Sequence, residues 1–182
     1  MIDPGGDAEQ LLAEIDKRKL TLEQIWLTHG HMDHVGAAHQ IARETGARII
    51  GPHQDDLFWL QILEKQCEMF NFPPVESFTP DQWLKDNDQL ILGEHQFDVL
   101  HTPGHTPGHI VIIHHPIRTV WVGDVLFKGS IGRTDFPQGN HEDLIHSIKH
   151  KLFALPEDYY FVPGHGPGGH LKEEALTNPF LI

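Results

Sequence analysis

Ala8, Leu11, Leu12 and Ile15 recur at the spacing of one helical face directly after the Pro4-Gly5-Gly6 turn. They predict a first helix with Asp7 near its start. Ile25 to Thr28 reads as a short buried strand, followed by Val35, Ala38, Ile41 and Ala42, which mark one face of a second helix ending near Gly46. Arg48 to Gly51 is the next strand, and this strand-helix-strand alternation predicts a layered α/β fold. From Asp56 to Phe72 the pattern is helical, with Phe58, Trp59 and Phe70 read first as core, until Pro73-Pro74 ends it. Gln89 to Leu92, His95 to Leu100, Ile110 to His114 and Thr119 to Val122 are short, turn-separated strands of a mostly antiparallel sheet. Leu144, Ile148 and Leu152 then form a helical face behind Asn140, a good N-cap, before a last strand from Tyr160 to Val162 and a short helix near Glu173.

Composition narrows the class. The 182 residues fit one domain, residues 1–182, with 39% apolar and 21% charged residues, the balance of a soluble globular protein. Apolar runs such as Ile110 to Ile113 are far too short to span a bilayer, so no membrane partner is expected. A net charge of −13 argues against a nucleic-acid partner, which needs clustered Lys and Arg. The single cysteine, Cys67, lies in an apolar helical context and reads as a buried thiol; with no export signal after Met1, the expected compartment is the cytoplasm. Sixteen histidines are the anomaly, and the question becomes which of them are ligands.

Thr28-His29-Gly30-His31-Met32-Asp33-His34 answers part of it. Alternate residues of an extended loop point the same way, so His29 and His31 suit one ion, while Asp33 and His34, opening the next helix, face a second. Imidazole and carboxylate donors without a thiolate suit zinc, iron or manganese. These residues do not complete two coordination spheres, and three later turns offer the remainder: His105 in Thr102 to His109, Asp124 in Val122-Gly123-Asp124, and His165 in Pro163-Gly164-His165-Gly166. The expected arrangement is His29, His31, His105 and Asp124 around one ion, and Asp33, His34, Asp124 and His165 around the other. His101 and His109 flank His105 but suit structural roles, and the remaining histidines suit surface or capping roles.

These four ordered motifs resemble those of the metallo-β-lactamase superfamily, and within it the chain is similar to the short, single-domain type II glyoxalases, the hydroxyacylglutathione hydrolases. The likeness extends through Asp3-Pro4-Gly5-Gly6, Gly129 to Pro137 and Asn178-Pro179-Phe180. It implies an αββα metallo-β-lactamase sandwich. Family members open with a β-hairpin and a third strand that this sequence enters only at its end, so the resemblance implies a domain lacking the usual N-terminal strands. The expected consequence is reduced stability or a self-association surface that makes a homo-oligomer.

The resemblance also implies two divalent metal ions, zinc foremost with iron or manganese as alternatives. Its expected chemistry is hydroxide attack on a small-molecule thioester such as S-lactoylglutathione. Water held by two ions titrates near pH 7 by analogy with single-zinc sites. A thiolate leaving group of pKa ~8.5 needs little acid assistance. Asp33 and Asp124 are the expected catalytic carboxylates. Arg133 and Lys128 are candidates to hold a substrate carboxylate, although Arg133 equally suits a pair with Asp135. Asp3 suits either support of a ligand imidazole or simple turn formation. The rival readings are a mononuclear iron persulfide dioxygenase, sharing the Gly132 to Phe136 segment, and a metal-binding domain impaired in catalysis.

Overall fold

Short apolar strands alternating with amphipathic helices build the first part of the chain. The computed structural model describes residues 1–182 in two compact units, Met1–Trp83 and Leu84–Ile182. In the first, β1 (Gln24–Trp26) and β2 (Arg48–Ile50) pair in parallel with Ile25 opposite Ile49. Ile2 makes a parallel bridge to Trp26 on the other side of β1, and the Gly51 N–H donates to the Gln82 carbonyl beyond β2. Helix α1 (Ala8–Lys17) follows the expected spacing. Asp7 precedes it in the left-handed region without a side-chain cap, and only its carbonyl takes up the N–H groups of Gln10 and Leu11.

The second predicted helix is two pieces, α2 (Met32–Val35) and α3 (Ala38–Thr45). The break comes from the Asp3 to Gly6 turn. The Ala37 N–H donates to the Pro4 carbonyl at 2.9 Å, and a Cβ on Gly36 would meet the Gly5 oxygen at 2.4 Å. Gly46 ends α3 with φ 77°, where a side chain would be strained. The next helical stretch is likewise divided, into a 3₁₀ turn, α4 (Leu57–Gln61) and α5 (Leu63–Phe70), with the step at Ile62. Trp59, Leu60, Leu63 and Cys67 are buried as expected, whereas Phe70 is 45% exposed and is not core. Leu27, Val35, Ala38 and Ile41 pack with Leu60 and Leu63 in this unit's apolar cluster.

The second unit carries β3 (Gln89–Leu92), β4 (His95–His101), β5 (Ile110–His114) and β6 (Thr119–Gly123) as an antiparallel run. A small hairpin, β7 (Leu126–Phe127) and β8 (Ser130–Ile131), precedes α6 (His141–Ser147) and a π-type turn, Ile148–Leu152. The chain then enters β9 (Tyr160–Pro163), parallel to β6, and β10 (Gly169–His170), and closes on α7 (Leu171–Thr177). The sheet order is β10-β9-β6-β5-β4-β3. Every residue of β5 is buried, as befits an inner strand. Val111, Ile113, Val120, Val122 and Phe161 form one cluster with Leu144, Ile148 and Leu152, which is why the helical spacing after Asn140 reads so plainly. The strands β7, β8 and β10 have two residues each, too few for an alternation to show in sequence. No helix is long and apolar enough to cross a membrane.

Asn140 accepts hydrogen bonds from the N–H groups of Glu142 (2.9 Å) and Asp143 (3.2 Å), satisfying two of the donors that open α6. Asn140→Ala is expected to cost about 1 kcal/mol and to lower Tm by about 2–4 °C in a thermal melt.

Candidate metal centre

The donors fall into two sets, one within each unit. In the first unit, β1 delivers the chain into Thr28 to His31, and α2 continues it through Asp33 and His34. His29, His31 and His34 are all buried, with ring centroids 4.8 Å apart for His29 and His31 and 4.1 Å for His29 and His34. Asp33 is partly exposed, with a carboxylate oxygen 3.9 Å from His34 Nε2.

Asp3 organises these rings. Its carboxylate accepts from the Thr28 N–H at 2.8 Å, from the Thr28 hydroxyl at 2.6 Å and from His34 Nδ1 at 3.0 Å. Because the Thr28 hydroxyl gives its only hydrogen to Asp3, its oxygen receives the Nδ1–H of His29, 3.0 Å away. Both imidazoles therefore carry the proton on Nδ1 and keep a lone pair on Nε2, the form a metal requires. Of the two readings of Asp3, the hydrogen bond to His34 Nδ1 matches support of an imidazole. Asp3 also sits in the turn, with φ 44°, so both roles coincide.

Two side chains that sequence reasoning passed over, Asp56 and Gln66, and His109, to which it gave a structural role, hold this loop or its counterpart. Buried Asp56 accepts from the Gly30 N–H at 2.8 Å. Buried Gln66 accepts from the Met32 N–H at 3.1 Å and donates to the carbonyls of Gly30 (3.3 Å) and Trp59 (2.8 Å). The available signal for Gln66 was a polar residue three positions after Leu63, on a buried helical face. The third is His109, in the second unit, whose Nε2 accepts from the Asp124 N–H at 3.1 Å. That nitrogen is taken up by the backbone, so His109 positions Asp124.

The second set arises from strand order. β6 and β9 run parallel side by side, with Gly123 opposite Pro163, so their carboxyl ends release Asp124 and His165 together. The register shifts between Trp121 and Gly123, and such an irregularity re-aims the residue that follows. One Asp124 oxygen lies 3.7 Å from His105 Nε2 and 3.6 Å from His165 Nε2. His105 is buried, and its Nδ1 donates to the Arg133 carbonyl at 2.8 Å, which again fixes the proton on Nδ1. His165 is more open, with 53% of its side chain exposed.

Arg133 itself is bound bidentately to Asp135 at 2.7 and 2.6 Å and lies over the Phe136 ring at 4.0 Å. The hydrogen-bonded guanidinium holds the Asp135 carboxyl at about 2, and the same bond raises the Arg133 pKa. Lys128 is exposed in the turn of the β7–β8 hairpin.

The donor set fits divalent metal. Imidazoles with backed Nδ1 protons, beside carboxylates, repeat the support that metal-bound histidine needs. Residues 1–165 match the family model described as the metallo-beta-lactamase superfamily. The chain belongs to that superfamily.

Hydroxyacylglutathione hydrolase GloC of Haemophilus influenzae is 44% identical over 100% of this chain and 86% of its own length. Among solved structures, TTHA1623 in a di-iron-bound form superposes with a TM-score of 0.91 at 37% identity, covering 99% of this chain and 88% of that one. BLEG-1 B3 metallo-beta-lactamase does so with a TM-score of 0.89 at 36% identity, covering 98% and 86%. The fold is accordingly the α/β metallo-β-lactamase fold, and the superfamily to which the chain belongs binds divalent metals.

Asp3→Asn keeps a side chain that tolerates the left-handed backbone but turns an amide NH2 toward groups that now donate. It is expected to weaken metal binding about 10–100-fold in a chelator competition while leaving the folded circular dichroism spectrum intact.

Proposed function

We propose that this chain is a dinuclear metallo-hydrolase cleaving small thioesters of the S-lactoylglutathione type, using His29, His31, Asp33, His34, His105, Asp124 and His165 as metal donors. The observation that carries it is the Asp124 carboxylate oxygen standing within 3.7 Å of two separate ligand imidazoles, His105 and His165. A carboxylate shared in that way suits a bridge between two ions better than a ligand to one. The similarity to a hydroxyacylglutathione hydrolase supports the thioester as substrate.

Two divalent ions, zinc foremost with iron or manganese behind it, supply Lewis acidity toward a carbonyl oxygen and bring the ionisation of water toward neutral pH. The chain's own residues supply the setting. Asp3, the Thr28 hydroxyl and the Arg133 carbonyl hold His34, His29 and His105 in one tautomer, so no proton has to move before the donors act. Asp33 and Asp124 bring the negative charge that offsets the cations. A thiolate leaves readily at a pKa of ~8.5, so little help from a general acid is needed.

Arg133 is the anion clamp. A glutathione carboxylate replaces Asp135 on the same fork, and exchanging one exposed carboxylate for another costs little. Lys128 adds a second positive charge from the neighbouring turn. The working compartment is the cytoplasm.

The metal-loaded protein is assayed on S-lactoylglutathione, a lactam and a lactone, with oxygen uptake followed on glutathione persulfide. The thioester is expected to be hydrolysed fastest. Oxygen uptake with persulfide, or faster cleavage of the lactam or lactone, overturns the assignment. Absence of all turnover by metal-loaded protein shows a domain impaired in catalysis and overturns it as well. Asp124→Asn is expected to lower kcat at least about a hundredfold, more than the loss of a supporting residue. Arg133→Ala is expected to raise KM for the glutathione thioester about tenfold with kcat nearly unchanged, the mark of lost uniform binding.

A further inference from the structure

His146 and His150 lie outside every ligand motif. Both are exposed, one in α6 and the other in the π-type turn that continues it, and their ring centroids are 4.7 Å apart with 36° between the planes. The turn is wider than an α turn: the Phe153 N–H donates to the Ile148 carbonyl at 2.9 Å, a five-residue step. Residues four apart on an α-helix are offset by about 40° around the axis. Widening the turn brings the later residue more nearly over the earlier one, and turns of this kind recur at functional positions.

The ring separation matches a chelate. An ion about 2.0–2.1 Å from two imidazole nitrogens sits roughly 3.2 Å from each ring centre. The ring centres are then about 4.5 Å apart for a right-angled pair of ligands and about 5.2 Å apart for a tetrahedral pair. The observed 4.7 Å falls between these values. Histidines at i and i+4 are also the pair from which helix-borne zinc sites are made.

We propose that His146 and His150 form a surface chelate for a borderline divalent cation, copper(II), nickel(II) or zinc, independent of the candidate metal centre. Copper(II) binds such nitrogen donors most strongly. The charges nearby are mixed. Glu142 and Asp143, exposed in the first turn of α6, favour a cation, and Lys149 opposes it. Lys151 is drawn away to the Asp86 carboxylate (3.1 Å) and the His101 carbonyl (2.6 Å). The chain's net charge of −13 favours a cation everywhere on its surface.

The test is retention of untagged protein on copper(II) held by iminodiacetate beads, eluted with an imidazole gradient. A bead-held ion reaches surface histidines and not buried ones. His146→Gln and His150→Gln are each expected to lose about tenfold in association, because the second imidazole of a chelate acts at high effective concentration. The double variant is expected to elute with the single variants, since either loss destroys the chelate. His141→Gln, five residues before the pair, is expected to elute with the wild type, and thioester hydrolysis is expected to be unchanged in all four. Elution of either single variant with the wild type overturns the proposal, as does a double variant whose loss is the sum of two independent ones, or an equal loss in His141→Gln.

Discussion

An imidazole offers a metal one nitrogen only if the proton on the other is held elsewhere, and that constraint shapes both loops of ligands. His34 gives its Nδ1 proton to Asp3, His29 gives its own to a Thr28 hydroxyl already committed to Asp3, and His105 gives its own to a backbone carbonyl. Each arrangement leaves Nε2 as the donor. The Asp-Pro-Gly-Gly turn and the segment after the β7–β8 hairpin are best understood as the means of bringing those acceptors into place.

Close backbone approach is what this placement demands, and glycine permits it twice in the same manner. A Cβ on Gly5 would lie 1.7 Å from the Asp33 carbonyl oxygen, and one on Gly132 would lie 1.9 Å from the Asp124 carbonyl oxygen. Each of the two carboxylates proposed as metal donors thus has its own backbone pressed against a glycine. Any side chain at either position forces backbone to move, and with it the carboxylate. The surrounding apolar clusters resist that movement, since Leu27 and Val35 in one unit and Val122 and Val125 in the other are fully buried.

The proposed ligands could be picked out in the sequence because coordination chemistry restricts both residue type and spacing. His29, His31, Asp33 and His34 declared themselves as a cluster, and His105, Asp124 and His165 through their Pro/Gly turns at strand ends. The long strands and α6 were legible because burial on one face imposes a period. What supports the ligands was harder to read. Asp56 reaches Gly30 across 26 positions and His109 reaches Asp124 across 15, and a side chain bonding to a distant backbone N–H leaves no periodic trace. The break between α2 and α3 was hidden for the same reason: it is set by contact with the Pro4 carbonyl and Gly5, not by the residues of the helix. Arg133 stood between two readings, and its bidentate bond to Asp135 gives it a resting partner that a substrate carboxylate has to replace.

Sharing of Asp124 between two ions is the central claim, and metal content tests it most directly. Purified protein, desalted through dilute imidazole to strip surface-held ions, is analysed by inductively coupled plasma mass spectrometry against protein concentration. The account predicts two divalent ions per chain. One ion per chain, or none retained, contradicts it.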